Sequence, residues 1–431
     1  MIPTATYEDT PVELTIKGRT VQYAPMRMEW SFDPDVSLAS QTMDFTLEDE
    51  FPDVLQIHVT EGCNLRCSYC THFNNPSKGV GRLKPDEIAM LDKEVKALPE
   101  SGVVIIMGGE PLLELETVFH FVDISPCTVV IYTNGTLLTP EIIERLEGTK
   151  AVLLFSADGE EQTTGTVRFR KSKHDMDERI YGGLDLVCDS SIPFGIAMVL
   201  GEHNIDHIEA HVDHLVSKYG PHSIGVSTQH YLADTPMDDL APERVGDAYV
   251  RLFNLSLDKG IYVDQIARRL TPIIRGKSLL KDCSACGTKR VYHPGGTWMN
   301  CTNNTEEDKS KNAWADYLPV HTESCHGCIG IGMCGGGCIA DAKALNPGGF
   351  DERYCETVRG TVRTVLEYCA DHDDLQTTNR AGLEAHLGHL LQRGRADGDP
   401  ASVLHRSVGH DATEAETNWQ HAMSSIEDAV S

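Results

Sequence analysis

The sequence is poor in aromatic residues and contains no long apolar runs. Phe, Trp and Tyr make up only 6% of the 431 residues. No uninterrupted apolar segment approaches the roughly 18 residues that a membrane span requires. The segment from Met1 to Thr4 also lacks the basic and apolar regions of a secretory signal. We therefore expect no membrane partner and a cytoplasmic location.

Basic residues are scarce relative to acidic ones. Lys and Arg number 37 against 65 Asp and Glu, which gives a formal net charge of −28. Such a field repels phosphate backbones and anionic lipid, so we expect no nucleic-acid partner. A chain of this length allows about two to four domains with a substantial core.

Cysteine, in contrast, is abundant, with fourteen residues. Because no secretion signal is present and the cytosol keeps thiols reduced, we expect thiolate ligands rather than disulfides. Most of the cysteines fall into two groups. The first group is Cys63, Cys67 and Cys70; the second is Cys283, Cys286, Cys301, Cys325, Cys328, Cys334, Cys338 and Cys355; Cys127, Cys188 and Cys369 stand alone. The grouping predicts metal sites in two parts of the chain.

Hydrophobic periodicity divides the chain before the second group. Alternating apolar residues predict short strands in residues 1–50, and from residue 54 apolar runs alternate with amphipathic stretches. The predicted strands are Val54–Val59, Val103–Met107, Thr128–Tyr132, Ala151–Phe155, Pro193–Leu200 and Ser223–Ser227. The predicted helices are Lys84–Leu98, Leu113–Val122, Pro140–Leu146, Glu178–Cys188, Ile205–Lys218 and Ala241–Lys259.

Six βα units predict an α/β fold, a partial (β/α)6 TIM-like barrel followed by a C-terminal Cys-rich extension. Loops after the strand ends of such a barrel carry its chemistry. The expected domains are a β appendage (1–50), the partial barrel (51–259), a linker with one amphipathic helix (260–282), a Cys-rich domain with little periodicity (283–369) and a polar helical tail (370–431).

The first cysteine group directly follows the first barrel strand. Three thiolates on such a loop can bind three irons of a 4Fe-4S cluster and leave the fourth iron open, as a catalytic cluster requires. A structural zinc site is the alternative. That site prefers four ligands in paired C-x2-C units, and His72 is the nearby fourth candidate. The spacing by itself leaves both interpretations open.

The C-x3-C-x2-C pattern, with Tyr69 before the last cysteine, resembles the radical S-adenosylmethionine (radical SAM) enzymes. The resemblance implies that the open iron binds the methionine part of SAM. Reductive cleavage then yields a 5′-deoxyadenosyl radical, which abstracts hydrogen from the substrate. It also implies that Tyr69 lies against the adenine ring.

Further motifs fall in order at the ends of three later strands: Gly-Gly-Glu-Pro, Thr-Asn-Gly and Ser-Ala-Asp-Gly. Singly, each is more often a turn or loop. In the family such segments contact the SAM amino group and, at the fourth strand, ribose hydroxyls. The SAM-binding residues that the resemblance implies are Gly108, Gly109, Glu110, Asn134, Ser156 and Asp158. The stretch from Arg168 to Arg179 resembles the family's basic segment near the SAM carboxylate.

The eight cysteines of the second group are the number that two fully ligated 4Fe-4S clusters need. Two structural zinc sites need as many thiolates, so the count leaves both open. The spacing resembles the SPASM extension of radical SAM enzymes, apart from the short interval between Cys283 and Cys286. The resemblance implies interleaved auxiliary clusters, one on Cys283, Cys286, Cys301 and Cys338 and one on Cys325, Cys328, Cys334 and Cys355.

The resemblance thus implies three 4Fe-4S clusters and SAM. The expected reaction is oxidative modification, such as crosslinking, of a ribosomal peptide, including Cys-containing precursors. The expected electron donor is a flavodoxin or ferredoxin. Sulfatase maturases of the family carry an Asp that acts as the general base at the position where this chain has Thr302. This difference argues against a sulfatase-maturase function.

Two different functions stay open beside peptide modification. One is tailoring of a small molecule such as a haem or cofactor precursor. The other is a role without catalysis, as an iron-sulfur electron carrier or a zinc scaffold. The three-cysteine group and the SAM motifs argue against the electron carrier and against the zinc scaffold. The sequence names no general base, because such a group must reach a substrate whose cavity the sequence does not show.

Overall fold

Short strands occupy the N-terminal part of the chain, as the alternation predicted. The computed structural model describes residues 4–46, 53–71, 81–231, 240–303, 314, 317–346 and 349–391. The first strands are β1 (Thr4–Asp9), β2 (Val12–Ile16), β3 (Arg19–Ala24), β4 (Glu29–Ser31) and β5 (Gln41–Thr46). β1 pairs with β5, and β2, β3 and β4 form a separate antiparallel sheet.

A parallel sheet begins at the first predicted barrel strand. Its strands are β6 (Val54–Thr60), β7 (Val103–Gly108), β8 (Thr128–Thr133), β9 (Ala151–Ser156), β10 (Phe194–Leu200) and β11 (Ser223–Thr228). They pair side by side in chain order, with β6 and β11 at opposite ends of the run. The predicted partial barrel is therefore confirmed.

Helices cover this sheet close to the predicted positions. They are α1 (Pro85–Lys96), α2 (Leu115–Ile124), α3 (Pro140–Leu146), α4 (Glu161–Val167), α5 (Asp177–Cys188), α6 (Ile208–Tyr219) and α7 (Pro242–Lys259). α4 was not predicted. Both faces of the strands are buried: Val54 and Ile105 belong to the inner cluster, whereas Leu55 and Ile57 belong to the core shared with the helices. This double burial explains the continuous apolar runs.

A short hairpin from the Cys-rich segment extends the sheet beyond β6. The chain passes through α8 (Asp264–Arg275), the helix expected in the linker, and then forms β12 (Arg290–His293) and β13 (Thr297–Met299). β12 pairs parallel to β6, with Tyr292 opposite Ile57. Glu87 of α1 accepts hydrogen bonds from the Tyr292 hydroxyl and from Gly295 N, each at 2.8 Å. The sequence did not predict these strands because each has only three or four residues.

The Cys-rich segment also contains a long helix, so the expectation of little periodicity there is wrong at its C-terminal end. The helices beyond β13 are α9 (Ile331–Cys334), α10 (Ile339–Leu345), α11 (Glu352–Ala370) and α12 (Arg380–Leu387). α11 packs closely on α7, where a Cβ at Gly246 would lie 2.9 Å from the Cβ of Glu356. Gly246 at the crossing permits this approach, and Val358, Val362 and Val365 of α11 recur at helical spacing.

The chain beyond α11 returns to the N-terminal sheet. The Trp30 indole donates to Leu375 O at 2.8 Å, and Lys17 forms an ion pair with Asp371. Residues 392–431, most of the expected polar tail, lie outside the described residues. In the described ranges, no helix combines the length and apolar character needed to cross a membrane. The predicted domain boundaries remain a proposal.

Candidate active site

The loop after β6 carries three thiols into one cavity. Cys63, Cys67 and Cys70 line a cavity of about 280 Å³ at the carboxyl ends of the parallel strands. Burial raises the pKa of Cys63 to about 11 and that of Cys67 to about 12. Both thiols therefore stay protonated near neutral pH until a metal displaces the proton. Three thiols on one loop fit the three protein ligands of an open 4Fe-4S cluster.

Two glycines let the end of β7 approach this loop. A Cβ at Gly108 would lie 2.1 Å from Thr60 O, and one at Gly109 would lie 2.2 Å from Gly62 O. Gly109 N donates to Thr60 O at 3.0 Å, and Glu110 N donates to Gly62 O at 2.9 Å. The predicted Gly-Gly pair is thus required by backbone contact with the cysteine loop.

Glu110 lies buried at the floor of the cavity. Its carboxylate accepts hydrogen bonds from Leu112 N at 3.1 Å, the Thr133 hydroxyl at 2.9 Å and Asn134 N at 2.8 Å. Burial raises its pKa to about 7, although these donors act in the opposite direction. A cationic group in the cavity would favour the charged carboxylate. Asn134, which also lines the cavity, donates through its side chain to Asn64 Oδ1 at 2.9 Å.

Asp158, which the resemblance implies as a SAM-binding residue, is held by protein groups in this structure, and its contact with SAM remains a prediction. It is fully buried, and its carboxylate accepts hydrogen bonds from Arg168 Nε at 2.7 Å, Val199 N at 2.8 Å and the Tyr69 hydroxyl. Burial raises the pKa of Asp158, but the Arg168 guanidinium outweighs it, so the pKa lies below its usual value. Asp158 therefore positions Tyr69 and Arg168, which line the cavity with Ser156.

The same geometry selects one arginine from the predicted basic stretch. Arg168 is buried and lines the cavity, whereas Arg170, Lys171 and Arg179 are exposed. Arg168 is therefore the cation of this stretch that can face a bound anionic group.

Three cysteines of the second group lie near the same cavity. Cys301 lines it together with the first group. Burial raises the pKa of Cys338 well above its usual value, and the nearby charges of Asp341, Cys301 and Cys283 act in the same direction. Cys283, Cys301 and Cys338 therefore lie together. The side chain of Cys286 lies outside the described part of the chain.

The other four cysteines of the second group surround a separate cavity. Cys325, Cys328, Cys334 and Cys355 line about 260 Å³ of space, with Arg359 beside them. Burial raises the pKa of Cys325 to about 11 and that of Cys355 to about 12. Cys334 and Cys338, although four positions apart, fall into different groups. This grouping matches the interleaved order, while ligation itself remains a prediction.

The isolated cysteines lie away from these cavities. Cys369 and Cys127 are buried in the apolar core, and the Cys188 thiol lies 3.2 Å from Tyr219 O.

Sequence reasoning missed several polar side chains that line the main cavity, among them Gln56, His230 and Lys289. Gln56 lies on β6, where a polar residue inside a strand buried on both faces was an available signal. His230 follows β11; its Nδ1 lies 2.8 Å from Asp341 Oδ2 and 3.8 Å from Cys338 Sγ. His230 carried no such signal, because its partners are about a hundred positions away.

The comparisons with known proteins agree with this geometry. Residues 57–215 match the Radical SAM superfamily model. The AdoMet-dependent heme synthase of Methanosarcina barkeri is 31% identical over 160 residues, covering 36% of this chain and 45% of that protein. The radical SAM cyclopropyl synthase TigE of Paramaledivibacter caminithermalis is 22% identical over 359 residues, covering 73% of this chain and 74% of that protein. The first match spans less than half of the relative.

Two solved structures share the fold. The anSMEcpe complex with AdoMet and Kp18Cys peptide has a TM-score of 0.62 at 17% identity and covers 74% of this chain and 98% of that chain. Streptococcus suis SuiB bound to precursor peptide SuiA has a TM-score of 0.51 at 15% identity, covering 71% and 76%. These likenesses show the fold, and the match of residues 57–215 shows that this chain contains a radical SAM domain.

Proposed function

We propose that this protein cleaves SAM reductively and uses the radical for oxidative modification, such as crosslinking, of a ribosomal peptide. One observation carries the proposal: Cys301 opens onto the same cavity as Cys63, Cys67 and Cys70. A substrate in this cavity would lie close both to the site of radical formation and to Cys301, and the auxiliary 4Fe-4S cluster that Cys301 would help to hold could accept the electron left on the substrate.

The cavity supplies distinct groups for SAM. Cys63, Cys67 and Cys70 would hold the 4Fe-4S cluster. When bound, this cluster and SAM supply one electron and a 5′-deoxyadenosyl radical. The SAM-binding residues are Tyr69, Gly108, Gly109, Glu110, Asn134 and Ser156, with Arg168 for the carboxylate. Glu110 carries the charge that pairs with the SAM ammonium, and Asp158 holds Tyr69 and Arg168 in place.

The second cysteine group is proposed to form a SPASM-type extension with two auxiliary 4Fe-4S clusters. The first uses Cys283, Cys286, Cys301 and Cys338, and the second uses Cys325, Cys328, Cys334 and Cys355. The separate cavity around the latter four supports this division. Iron held by thiolates also agrees with a reducing, cytoplasmic location.

A peptide substrate is supported by the peptides bound in the two solved structures of similar fold. Thr302, in place of the Asp of sulfatase maturases, lines the cavity and argues against formylglycine formation. A haem-precursor substrate is kept as the second candidate because the haem synthase is 31% identical to this chain over 160 residues.

An acidic electron carrier such as flavodoxin or ferredoxin is the proposed reductant. Arg170, Lys171 and Lys173 are exposed on the segment that follows Phe169, whose carbonyl accepts a hydrogen bond from Arg66 N of the cysteine loop at 2.6 Å. On a chain with net charge −28, these cations form a local site that an acidic carrier can approach.

The test uses anaerobically reconstituted protein with SAM and a reductant. Candidate substrates are deuterated short peptides encoded beside the chain's gene and a deuterated haem precursor. We expect deuterium in 5′-deoxyadenosine only with a peptide, which loses two hydrogen atoms. Deuterium from the haem precursor alone would contradict the peptide proposal and retain the radical SAM chemistry. The Cys63→Ala/Cys67→Ala/Cys70→Ala variant is the negative control, and Cys127→Ala is the matched active control.

A further inference from the structure

Two histidines and a glutamate meet beside the active-site cavity without contributing to the chemistry proposed above. His58 lies on β6, Glu61 follows that strand, and His293 ends β12. His58 is fully buried, and the side chains of Glu61 and His293 are only 3% and 4% exposed. The pairing of β12 with β6 brings these residues together from positions more than 230 residues apart.

Their donor atoms converge. One ligand atom from each residue lies within 4.8 Å of the other two. His293 Nδ1 and Glu61 Oε1 are 2.9 Å apart, and the rings of His58 and His293 are 4.0 Å apart between centroids. Ligand atoms around a tetrahedral zinc ion lie about 3.3 Å apart, so small side-chain adjustments suffice to coordinate an ion.

The donor set has a defined chemistry. Two imidazoles and one carboxylate, desolvated together, suit a divalent transition-metal ion such as Zn²⁺, and the carboxylate offsets part of its charge. His230, Cys338 and Asp341 also converge, but Cys338 belongs to the proposed auxiliary cluster. The His58 group uses none of the cysteines assigned above.

A polar contact links the group to the cavity wall. His58 Nε2 lies 2.8 Å from Gln56 Nε2 and 3.4 Å from Thr302 Oγ1, and both Gln56 and Thr302 line the cavity. An ion bound here would join β6 to the hairpin of the Cys-rich segment. Gln56 and Thr302 would lie between the ion and the cavity.

We propose that His58, Glu61 and His293 form a mononuclear site for a divalent transition-metal ion, distinct from the iron-sulfur clusters. The ion connects β6 with β12 and orients Gln56 and Thr302 in the cavity wall. The site does not depend on the peptide reaction, so its test and the test of function can fail separately.

The experiment adds Zn²⁺ to the anaerobically reconstituted holoprotein and removes excess ion. Mass spectrometry measures zinc and iron, and zinc K-edge absorption measures the ligand distances. We expect one zinc per chain, unchanged iron, and a shell of nitrogen and oxygen at about 2.0–2.1 Å with no sulfur. A sulfur shell at about 2.3 Å, or no retained zinc, would overturn the proposal.

Variants then identify the ligands. His293→Ala and the nearly isosteric Glu61→Gln should lower zinc affinity about tenfold or more in competition with a chelator. The control is His120→Ala, which removes a histidine that pairs with Asp92 at 2.7 Å outside this group. Folded variants that keep wild-type affinity would refute these ligands. If the variants do not fold, the ligand shell of the wild-type protein decides the question.

Discussion

At the scale of single residues, Glu110 is a charged group whose ionisation depends on its ligand. Burial raises its pKa to about 7, above the usual value, so part of the carboxyl population is neutral near pH 7. A raised carboxyl pKa means that the folded state loses stability as pH rises from the ordinary value through about 7. A cationic ligand reverses this cost by pairing with the carboxylate.

We therefore expect SAM binding to tighten as pH rises through about 7. Glu110→Gln should weaken binding about tenfold or more and abolish this pH dependence, because the neutral amide cannot pair with the ammonium. Calorimetric titration of the reconstituted protein with SAM measures both effects. A variant with the wild-type pH profile would show that Glu110 does not bind the ammonium.

At Gly109, close backbone contact rather than charge fixes the position of the cysteine loop. In Gly109→Ala, the new Cβ would meet the Gly62 carbonyl and the Cys63 side chain and displace the cysteine loop. We expect loss of SAM cleavage and of about a third of the bound iron, since three clusters of four irons are proposed. Gly182→Ala is the control, because that Cβ meets no atom within 4 Å. Full iron in Gly109→Ala would contradict the steric argument.

At the scale of elements, residues 167–175 form hydrogen bonds to the cysteine loop and carry exposed cations. Val167 O accepts a hydrogen bond from Ser68 N at 3.0 Å, and the Asp175 carboxylate accepts one each from Arg170 N and Lys171 N at 2.8 Å. The backbone thus holds the exposed cations next to the first cysteine group.

Charge reversal here should separate protein-mediated electron delivery from cluster chemistry. We expect Lys171→Glu/Lys173→Glu to slow flavodoxin-driven SAM cleavage about tenfold or more at low salt, because steering of an acidic carrier is lost. Cleavage driven by dithionite should stay unchanged. The charge-matched control is Lys93→Glu/Lys96→Glu on α1, whose side chains are also exposed. Equal losses with both reductants would instead indicate damage to the cluster.

At the scale of the whole molecule, the fold distributes cysteines of the first and second groups around two cavities. The main cavity is lined by the first group and Cys301, and the second by four cysteines, of which Cys355 lies on α11. Because these groups use separate ligands, loss of one cluster should leave the others assembled.

Iron analysis tests this independence. The reconstituted chain should bind about twelve irons, and Cys63→Ala/Cys67→Ala/Cys70→Ala should lose about a third of them and all SAM cleavage. Cys127→Ala, whose thiol lies in the apolar core, should retain both. Loss of all iron in the triple variant would show that the clusters assemble cooperatively. Stoichiometric zinc without iron in protein purified anaerobically would contradict the cluster assignment itself.

The sequence by itself determined the order of the barrel units and the identity of the cysteine loop. Continuous apolar runs encode strands buried on both faces, and the spacing of Cys63, Cys67 and Cys70 keeps three thiols on one short loop. Glu110 and Asn134 were indicated by the resemblance of their motifs to those of the family, and both line the main cavity.

Only the tertiary structure decided which distant groups meet. Asp158 pairs with Arg168, β12 pairs with β6, and His230 contacts Asp341. Each contact joins separate elements and depends on how whole helices and strands pack. Local periodicity and spacing carry no information about such pairings, because they describe neighbours along the chain. The convergence of His58, Glu61 and His293 therefore became visible only in the fold.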